Sequence, residues 1–574
     1  MTVAHHGARL DPATTQSGKR GKTLSRWHQR RNGFAAFAGV GVAAATLAAV
    51  AFAHTDAATR GAASASRTDR WSSSTIDIAQ ALARERNGKL VAAGLSARFG
   101  HYEAALARYN ADGRLDQGFG SSGRVLTDFG AGLAGFYARA LRIQPDGRIV
   151  VAGGGGISTR GSGFAIARYT VRGRLDPSFG RGGKVLTRFG PGRVASDGSA
   201  LAIQPDGRIV VAGSTSENLA RGPTHIALAR YTPRGSLDPT FGRGGRVSSD
   251  VGSKLGDYAR TLAIQSDGKL VVAGTAFLSK NIDLEVARFT TRGKLDPSLG
   301  AGGRVLTQVS YSFDARSVLV QPDGKLVVAG TAGAADDEGF ALIRYTADGK
   351  LDPSFGSGGK VISDFDPYRG EALGALALQP DGKLVAAGTS EGTGHEENVS
   401  IVARYTKAGS LDPTFGRGGT VVNGRQARAN AVVIQPDGRI VAAGSNPVDF
   451  VLARYRSNGS VDASLGSGGT VTSAFGSLWT MLASMSATRL NGQVVVRWRT
   501  TSEGDARGFN VYRGQKGHQR RVNQRLIKVK AGVGRGAAYS FRDHGAPSSS
   551  GRYWLESVTR EGTRRWLGQD TVGR

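Results

Sequence analysis

Ile143-Gln144-Pro145-Asp146-Gly147-Arg148-Ile149-Val150-Val151-Ala152-Gly153 is the stretch on which the fold turns. An apolar run enters Pro-Asp-Gly and leaves as a β-branched run. This reads as two strands joined by a tight turn, with glycine supplying the positive φ that the turn needs. The turn glycine returns at Gly88, Gly147, Gly207, Gly268, Gly324, Gly382 and Gly438, the first copy carrying Asn87-Gly88 in place of Asp-Gly. The spacing is a period of about 58 residues, long enough for one supersecondary unit per copy.

A second phrase keeps step with the first. It runs Ala167-Arg168-Tyr169, Gly173, Leu175-Asp176-Pro177-Ser178-Phe179-Gly180, Gly182-Gly183 and Val185, and it too occurs seven times. Each copy therefore reads as four short strands: one before the Pro-Asp-Gly turn, one after it, one ending at Ala167-Arg168-Tyr169, and one beginning near Lys184-Val185-Leu186. No helical period of useful length interrupts them. Four-stranded antiparallel units in series predict an all-β fold, a seven-bladed β-propeller over 75–478, in which radial closure hides the strand edges. A linear β-solenoid is the alternative, but its coils are usually shorter. Trp71–Ile78 could add a strand to the last blade or serve as linker.

The chain has 574 residues, 85 of them glycine, and no cysteine. Glycine at the turns of every copy explains much of that excess, and collagen's every-third-residue glycine is absent. Without cysteine there is no disulfide framework, thiolate metal site or cysteine nucleophile. The formal charge of +30 lies largely at the ends: residues 1–70 hold ten Lys/Arg against three acids, and residues 484–574 hold eighteen against six.

Residues 1–53 read as an export signal. Lys19, Arg20, Lys22, Arg26, Arg30 and Arg31 precede an uncharged run from Phe34 to Ala53 that ends in a small-x-small pattern. Its Ala/Gly-rich composition favours a cleaved signal peptide over a retained N-terminal membrane anchor. Residues 54–74 read as a flexible spacer, and the rest of the chain is expected to be secreted or on the cell surface. Export also argues against nucleic acid as a partner, whatever the charge.

The phrases Gln321-Pro322-Asp323-Gly324-Lys325-Leu326-Val327-Val328-Ala329-Gly330 and Leu351-Asp352-Pro353-Ser354-Phe355-Gly356 resemble the bacterial delta-60 repeat. The resemblance covers about residues 75–478. It implies a propeller in a secreted or surface protein, and it carries over no catalytic residue. Beyond it, residues 484–574 hold the alternating strand Val494–Thr500, then Gly508-Phe509-Asn510-Val511-Tyr512-Arg513 and Tyr553-Trp554-Leu555. This stretch resembles a fibronectin type III-like β-sandwich, and the resemblance implies that Trp498 and Tyr553 are core residues. Its positive charge suits an anionic cell-wall polymer or polysaccharide, or simply a soluble basic face.

A residue present in every copy is expected to be framework, because one active site does not need seven copies. Arg168 with Asp176, and its six equivalents, are thus expected to form an Arg–Asp pair or an Asp turn cap in each blade. The Asp-Gly turns lack the dense oxygen ligands of a calcium loop. Function should lie where the repeat breaks, in the connections between strands two and three and between one blade and the next, all on one face.

Two candidate clusters fall there. One is acidic, Asp336, Asp337, Glu338, Asp364, Asp366, His395, Glu396 and Glu397, and would suit calcium or a cationic ligand; solvated loop charge is the plainer reading. The other is Tyr137, Arg139, Tyr258, Arg260, Arg316 and Arg428, which begin innermost strands and would hold an anionic or sugar ligand at the channel mouth; capping or inter-blade pairing is the plainer reading. No nucleophile elbow, zinc helix or phosphate loop is present, and His101, His225 and His395 fall in well-separated copies. No tryptophan lies between 72 and 478, which weakens a sugar-stacking platform in the propeller. The expectation is a non-enzymatic scaffold that binds a ligand, a wall polymer or a protein partner through its variable face. The alternative is a secreted hydrolase or lyase that acts on a polysaccharide through the acidic cluster, for example with Asp336 and Glu396.

Overall fold

The structure is a computed structural model that describes residues 76–572, except 99–100, 130–134, 159–160, 191–193, 217–222, 250–254, 280, 335–336, 366–369, 392–397, 426, 476–479, 516, 532–535, 548–550 and 560–563. The expected export segment and spacer, and Trp71–Thr75, lie outside the described residues. Within them every regular element is a strand.

Seven antiparallel meanders follow one another. In blade 2 the strands, called a to d here, are Phe136–Ile143, Ile149–Ser158, Gly161–Tyr169 and Lys184–Thr187. The a strands of successive blades touch around the axis, and that of blade 7 (Arg428–Ile434) meets that of blade 1 (Ile76–Arg84). The ring is closed. Ile76–Ile78 therefore belongs to the first blade's own innermost strand; among the described residues no strand is lent to blade 7. The a–b connection is five residues and the c–d connection fourteen in every blade, whereas b–c and d–a connections each run from two to eight. Variation is confined to one face, as the repeat pattern predicts.

The invariant phrases hold blade to blade. The strand-c arginine is buried against the aspartate eight residues on, from Arg108–Asp116 through Arg168–Asp176 to Arg454–Asp462, with Nε–Oδ2 distances of 2.7–2.9 Å in all seven blades. The aspartate's other oxygen accepts the backbone N–H two residues later, as Ser178 donates to Asp176. Pair and cap are thus both present.

Each of these arginines also donates from Nη1 to a carbonyl of the next blade: Arg108 to Val171, Arg168 to Pro233, and so on, until Arg454 donates to Ala111 of blade 1. Beside it a glycine N–H bonds the next blade's turn, the last being Gly466 to the Asp112 carbonyl at 2.9 Å. A planar fork with several donors in fixed directions makes this possible. Between these bonds, apolar faces interlock, and the cluster that joins the ends combines Leu82, Leu90 and Leu126 with Val441, Phe450 and Phe475.

A third tie uses the strand-c tyrosine. Tyr169, Tyr231 and Tyr345 donate to Thr127, Thr187 and Thr307 of the preceding blade at 2.7–2.8 Å, and Tyr405 donates to Ser363 at 3.0 Å. Blade 4 has Phe289 at this position, following Ser249 at the end of blade 3's last strand.

The C-terminal module has a three-stranded sheet, Met481–Leu490, Gln493–Ser502 and Ala538–Asp543, facing a second sheet built on Ala506–Arg513, Arg552–Thr559 and Arg564–Thr571. Its first strand begins at Met481 rather than 484, because Met481 and Leu482 still pair with Ser502 and Thr500. Trp498 and Tyr553 are buried between the sheets, as expected; Trp498 stacks on Tyr539 at 5.2 Å, and the Tyr553 hydroxyl donates to Asp543 at 2.7 Å. The module is anchored on the propeller. Buried Arg565 forks onto Glu103 of blade 1 at 2.6 and 2.7 Å and onto Asp505 of its own module at 2.8 Å.

Two substitutions test the ties. Arg454→Ala leaves Asp462 with a weaker partner and opens the blade 7–blade 1 seam; a loss of about 3 kcal/mol in denaturant unfolding is expected. Phe289→Tyr restores the missing hydroxyl contact to Ser249 and should gain about 1 kcal/mol in the same measurement.

Candidate functional site at the channel mouth

The a strands owe their shape to the glycine of Val-Ala-Gly. In blade 2, Ala138 faces Gly153 and Ala140 faces Ala152, so Arg139 is left over as a one-residue bulge. The bulge turns the Tyr137 carbonyl towards strand b, where a Cβ on Gly153 would stand 1.9 Å from it. Only glycine fits. Blades 4 and 5 repeat this with Arg260 and Arg316 as the bulged residues and Gly274 and Gly330 beneath them. Elsewhere the same column holds Gln80, Ser199, Gly374 and Asn430.

Three arginines at one height around the axis repel, and the structure answers with acids two residues before the bulge. Asp197 of blade 3 lies 3.1 Å from Arg139, and Asp314 of blade 5 lies 2.6 Å from Arg316 and 3.5 Å from Arg260. Arg139 and Arg260 also sit over Tyr137 and Tyr258, at 5.1 and 5.8 Å from the ring centres. Burial would raise the Asp314 carboxyl, but Arg316 and then Arg260 hold it below its ordinary range. Burial alone would lower the Arg139 guanidinium; Asp197 and Tyr137 reverse that and raise it. Asp314 and Arg139 are thus ionised at neutral pH, and in this column the arginines outnumber the aspartates.

Of the six residues expected at this mouth, Tyr137, Arg139, Tyr258, Arg260 and Arg316 come together on blades 2, 4 and 5. Arg428 is on blade 7 and meets Glu391 at 3.1 Å, which in turn acts on Glu338 at the mouth. Of the acidic group, Asp336, Asp366, His395, Glu396 and Glu397 lie outside the described residues, and only the backbone of Asp337 is described. Glu338 faces the mouth: burial raises its carboxyl, Glu391 and Asp314 add to the rise, and Arg316 opposes it. Asp364 follows the last strand of blade 5. Among the described residues no three acids or histidines gather as a metal site. Asp197, Asp314 and Glu391 are additions that the sequence pattern does not single out. Asp197 and Asp314 occupy the column of Tyr137 and Tyr258, so setting the copies side by side at that strand reveals them.

The opposite end of the channel is a pocket of about 400 Å³ whose lining, among it Ala202, Ala263 and Leu319, is apolar except for Arg142. Blade 4 also hides a carboxyl pair, Glu285 with Asp257, both fully buried, with Arg304 3.2 Å from Glu285. No solvent reaches it, so it is unsuited to act on a substrate.

Seven segments, 85–119, 144–179, 204–241, 265–299, 321–355, 379–415 and 435–465, match the family model described as "Domain of unknown function (DUF5122) beta-propeller". The chain is a seven-repeat β-propeller protein. No curated protein matches it. Among solved structures, the propeller chain is similar to the extracellular domain of a putative one-component system from B. thetaiotaomicron, at 10% identity over 86% of this chain and 69% of that one, TM-score 0.28. It is also similar to Drosophila Plexin A in complex with Semaphorin 1b (10% identity, 67% and 87% covered, TM-score 0.35) and to the polysaccharide lyase Uly1 (10%, 78% and 93%, TM-score 0.32). At such scores no ligand or activity transfers from these proteins.

The buried groups set opposite pH windows. Burial would raise the seven strand-c-paired aspartates, but hydrogen bonds such as Ser354 to Asp352, with the neighbouring cations, lower them, so their stabilisation is present above the ordinary Asp range and lost as acid titrates the folded state. Glu285 does the reverse: burial and then Asp257 push it from 4.5 up to about 8, so its contribution is full below the lower value and lost between the two. The melting temperature should therefore fall between about pH 5 and about pH 8, and Glu285→Gln should shrink that fall in a differential-scanning series.

Proposed function

We propose that the protein is an exported, non-enzymatic binding scaffold whose channel mouth, on the variable-loop face, takes an anionic ligand such as a carboxylated or phosphorylated cell-wall polymer. The observation that carries this is the bulge column: three arginines, two of them over tyrosine rings, with two aspartates between them. Guanidinium forks match carboxylate and phosphate oxygens, and the fixed aspartates hold them in place before a ligand arrives. Export is supported by the basic N-terminus and the uncharged run Phe34–Ala53, and the retained-anchor reading would keep the same mouth facing outward. The C-terminal module, read as fibronectin type III-like, serves as a spacer and a second contact surface.

Isothermal titration with an oligogalacturonide tests the mouth. Arg316→Ala, with Arg139 and Arg260 kept, should weaken binding about tenfold, and moderate salt should weaken it further. Affinity equal to the parent's would contradict the proposal. The enzymatic alternative has one observation in its favour, the raised Glu338 carboxyl close to Asp314 and Glu391. That reading requires turnover on an acidic or neutral polysaccharide, lost in Glu338→Gln with the fold intact; absence of turnover in the parent retires it.

A further inference from the structure

The propeller has no tryptophan between 72 and 478, yet the C-terminal module places two on the solvent side of its second sheet. Strand alternation explains why. Phe509, Val511, Tyr553 and Leu555 point into the core, so Asn510, Tyr512, Trp554 and Glu556 lie on the opposite face, Asn510 and Glu556 buried and the two rings half-buried. Register then aligns them across strands: Tyr512 faces Trp554, Asn510 faces Glu556, and Glu556 faces Trp566.

The result is a continuous aromatic strip. The ring centres of Tyr512 and Trp566 are 4.9 Å apart and those of Trp554 and Trp566 6.0 Å apart, both pairs edge to face, so Tyr512 and Trp554 brace the exposed Trp566. Trp566 stays 38% exposed with the propeller in place, because Arg565, which docks the module, lies on the other side of the same strand. Two of the rings are held rigidly. The Trp554 indole N–H donates to the Gly514 carbonyl at 2.9 Å, and the Tyr512 hydroxyl donates to Glu556 at 3.0 Å. Glu556 is also fixed by Asn510 at 2.9 Å.

Solubility alone would place small polar residues on such a face, as the module's other sheet does with Ser484 and Ser486 beside Arg499 and Arg497. Three adjoining rings, held from beneath by the buried Asn510–Glu556 pair, instead match the chemistry of a sugar polymer, whose rings offer C–H faces for stacking. The rim gives the charge. Arg521 sits opposite Tyr512 and Arg564 opposite Val558, and both act on the Tyr512 phenol. Residues 484–574 carry eighteen Lys/Arg against six Asp/Glu. We infer that Tyr512, Trp554 and Trp566 form a platform that stacks the sugar rings of an acidic polysaccharide, with Arg521 and Arg564 reading its carboxylates. This site is separate from the channel mouth and does not depend on it.

The test uses the full exported chain and polygalacturonate, followed by tryptophan fluorescence and by sedimentation with the insoluble polymer. Trp566→Ala should lower the affinity at this site about tenfold or more, and Trp566→Phe, which keeps a ring, should retain most of it. Both variants should melt with the parent, since the side chain is partly exposed. The charge contribution is read from the double variant Arg521→Ala with Arg564→Ala, which should weaken binding to polygalacturonate while sparing the weaker binding to neutral amylose. A platform role also predicts that Arg316→Ala at the channel mouth leaves the fluorescence response unchanged. The inference is overturned if Trp566→Ala binds as the parent does, if amylose binds as tightly as polygalacturonate, or if the response disappears with Arg316→Ala instead.

Discussion

The guanidinium that each blade lends to the next is the constraint on which the rest depends. It is buried against its own aspartate and donates outward to a neighbour's backbone, so an isolated blade cannot make both bonds. In a lone unit that donor would bond only water, and the neighbour's carbonyl would lose its partner; the ring supplies both. Seven units in a closed ring leave no such gap, because Arg454 finds Ala111. Closure therefore needs no borrowed strand, and the repetition of Arg and Asp in the sequence records this requirement rather than chemistry on a substrate.

The same economy shapes the working surface. Fixed a–b and c–d connections carry the ties, which leaves the other face free to vary in length and charge. The Val-Ala-Gly glycine forces a bulge into each innermost strand, and the bulge presents one side chain per blade to the axis. Where that residue is Gly374 or Ser199 the column is quiet; where it is arginine, an acid of the next blade or of its own strand answers it. One backbone device, repeated seven times, thus gives a ring of positions that sequence change fills without touching the frame.

Much of this is legible in the chain itself. The period, the four-strand unit, the Arg–Asp pairs and the variable face all follow from local turn chemistry that recurs in phase. Tyr137, Arg139, Tyr258, Arg260 and Arg316 are also legible, because the start of an innermost strand must approach the axis. Asp197 and Asp314 are legible only when the copies are set side by side at the column of Tyr137 and Tyr258, since each looks ordinary in its own copy. The outward strip of Tyr512, Trp554 and Trp566 is not legible: it depends on a bulge between Leu555 and Glu556 that shifts the register and turns Trp566 outward. Bulges are settled by pairing partners, not by the strand that contains them.

The most direct measurement is a crystal structure of the protein soaked with an oligouronide. The account predicts seven blades closed without strand exchange, and a sugar carboxylate on the variable face within hydrogen-bond reach of the arginines at the bulge. Ligand seated at the apolar end near Leu319, or a ring with any other number of blades, would contradict it.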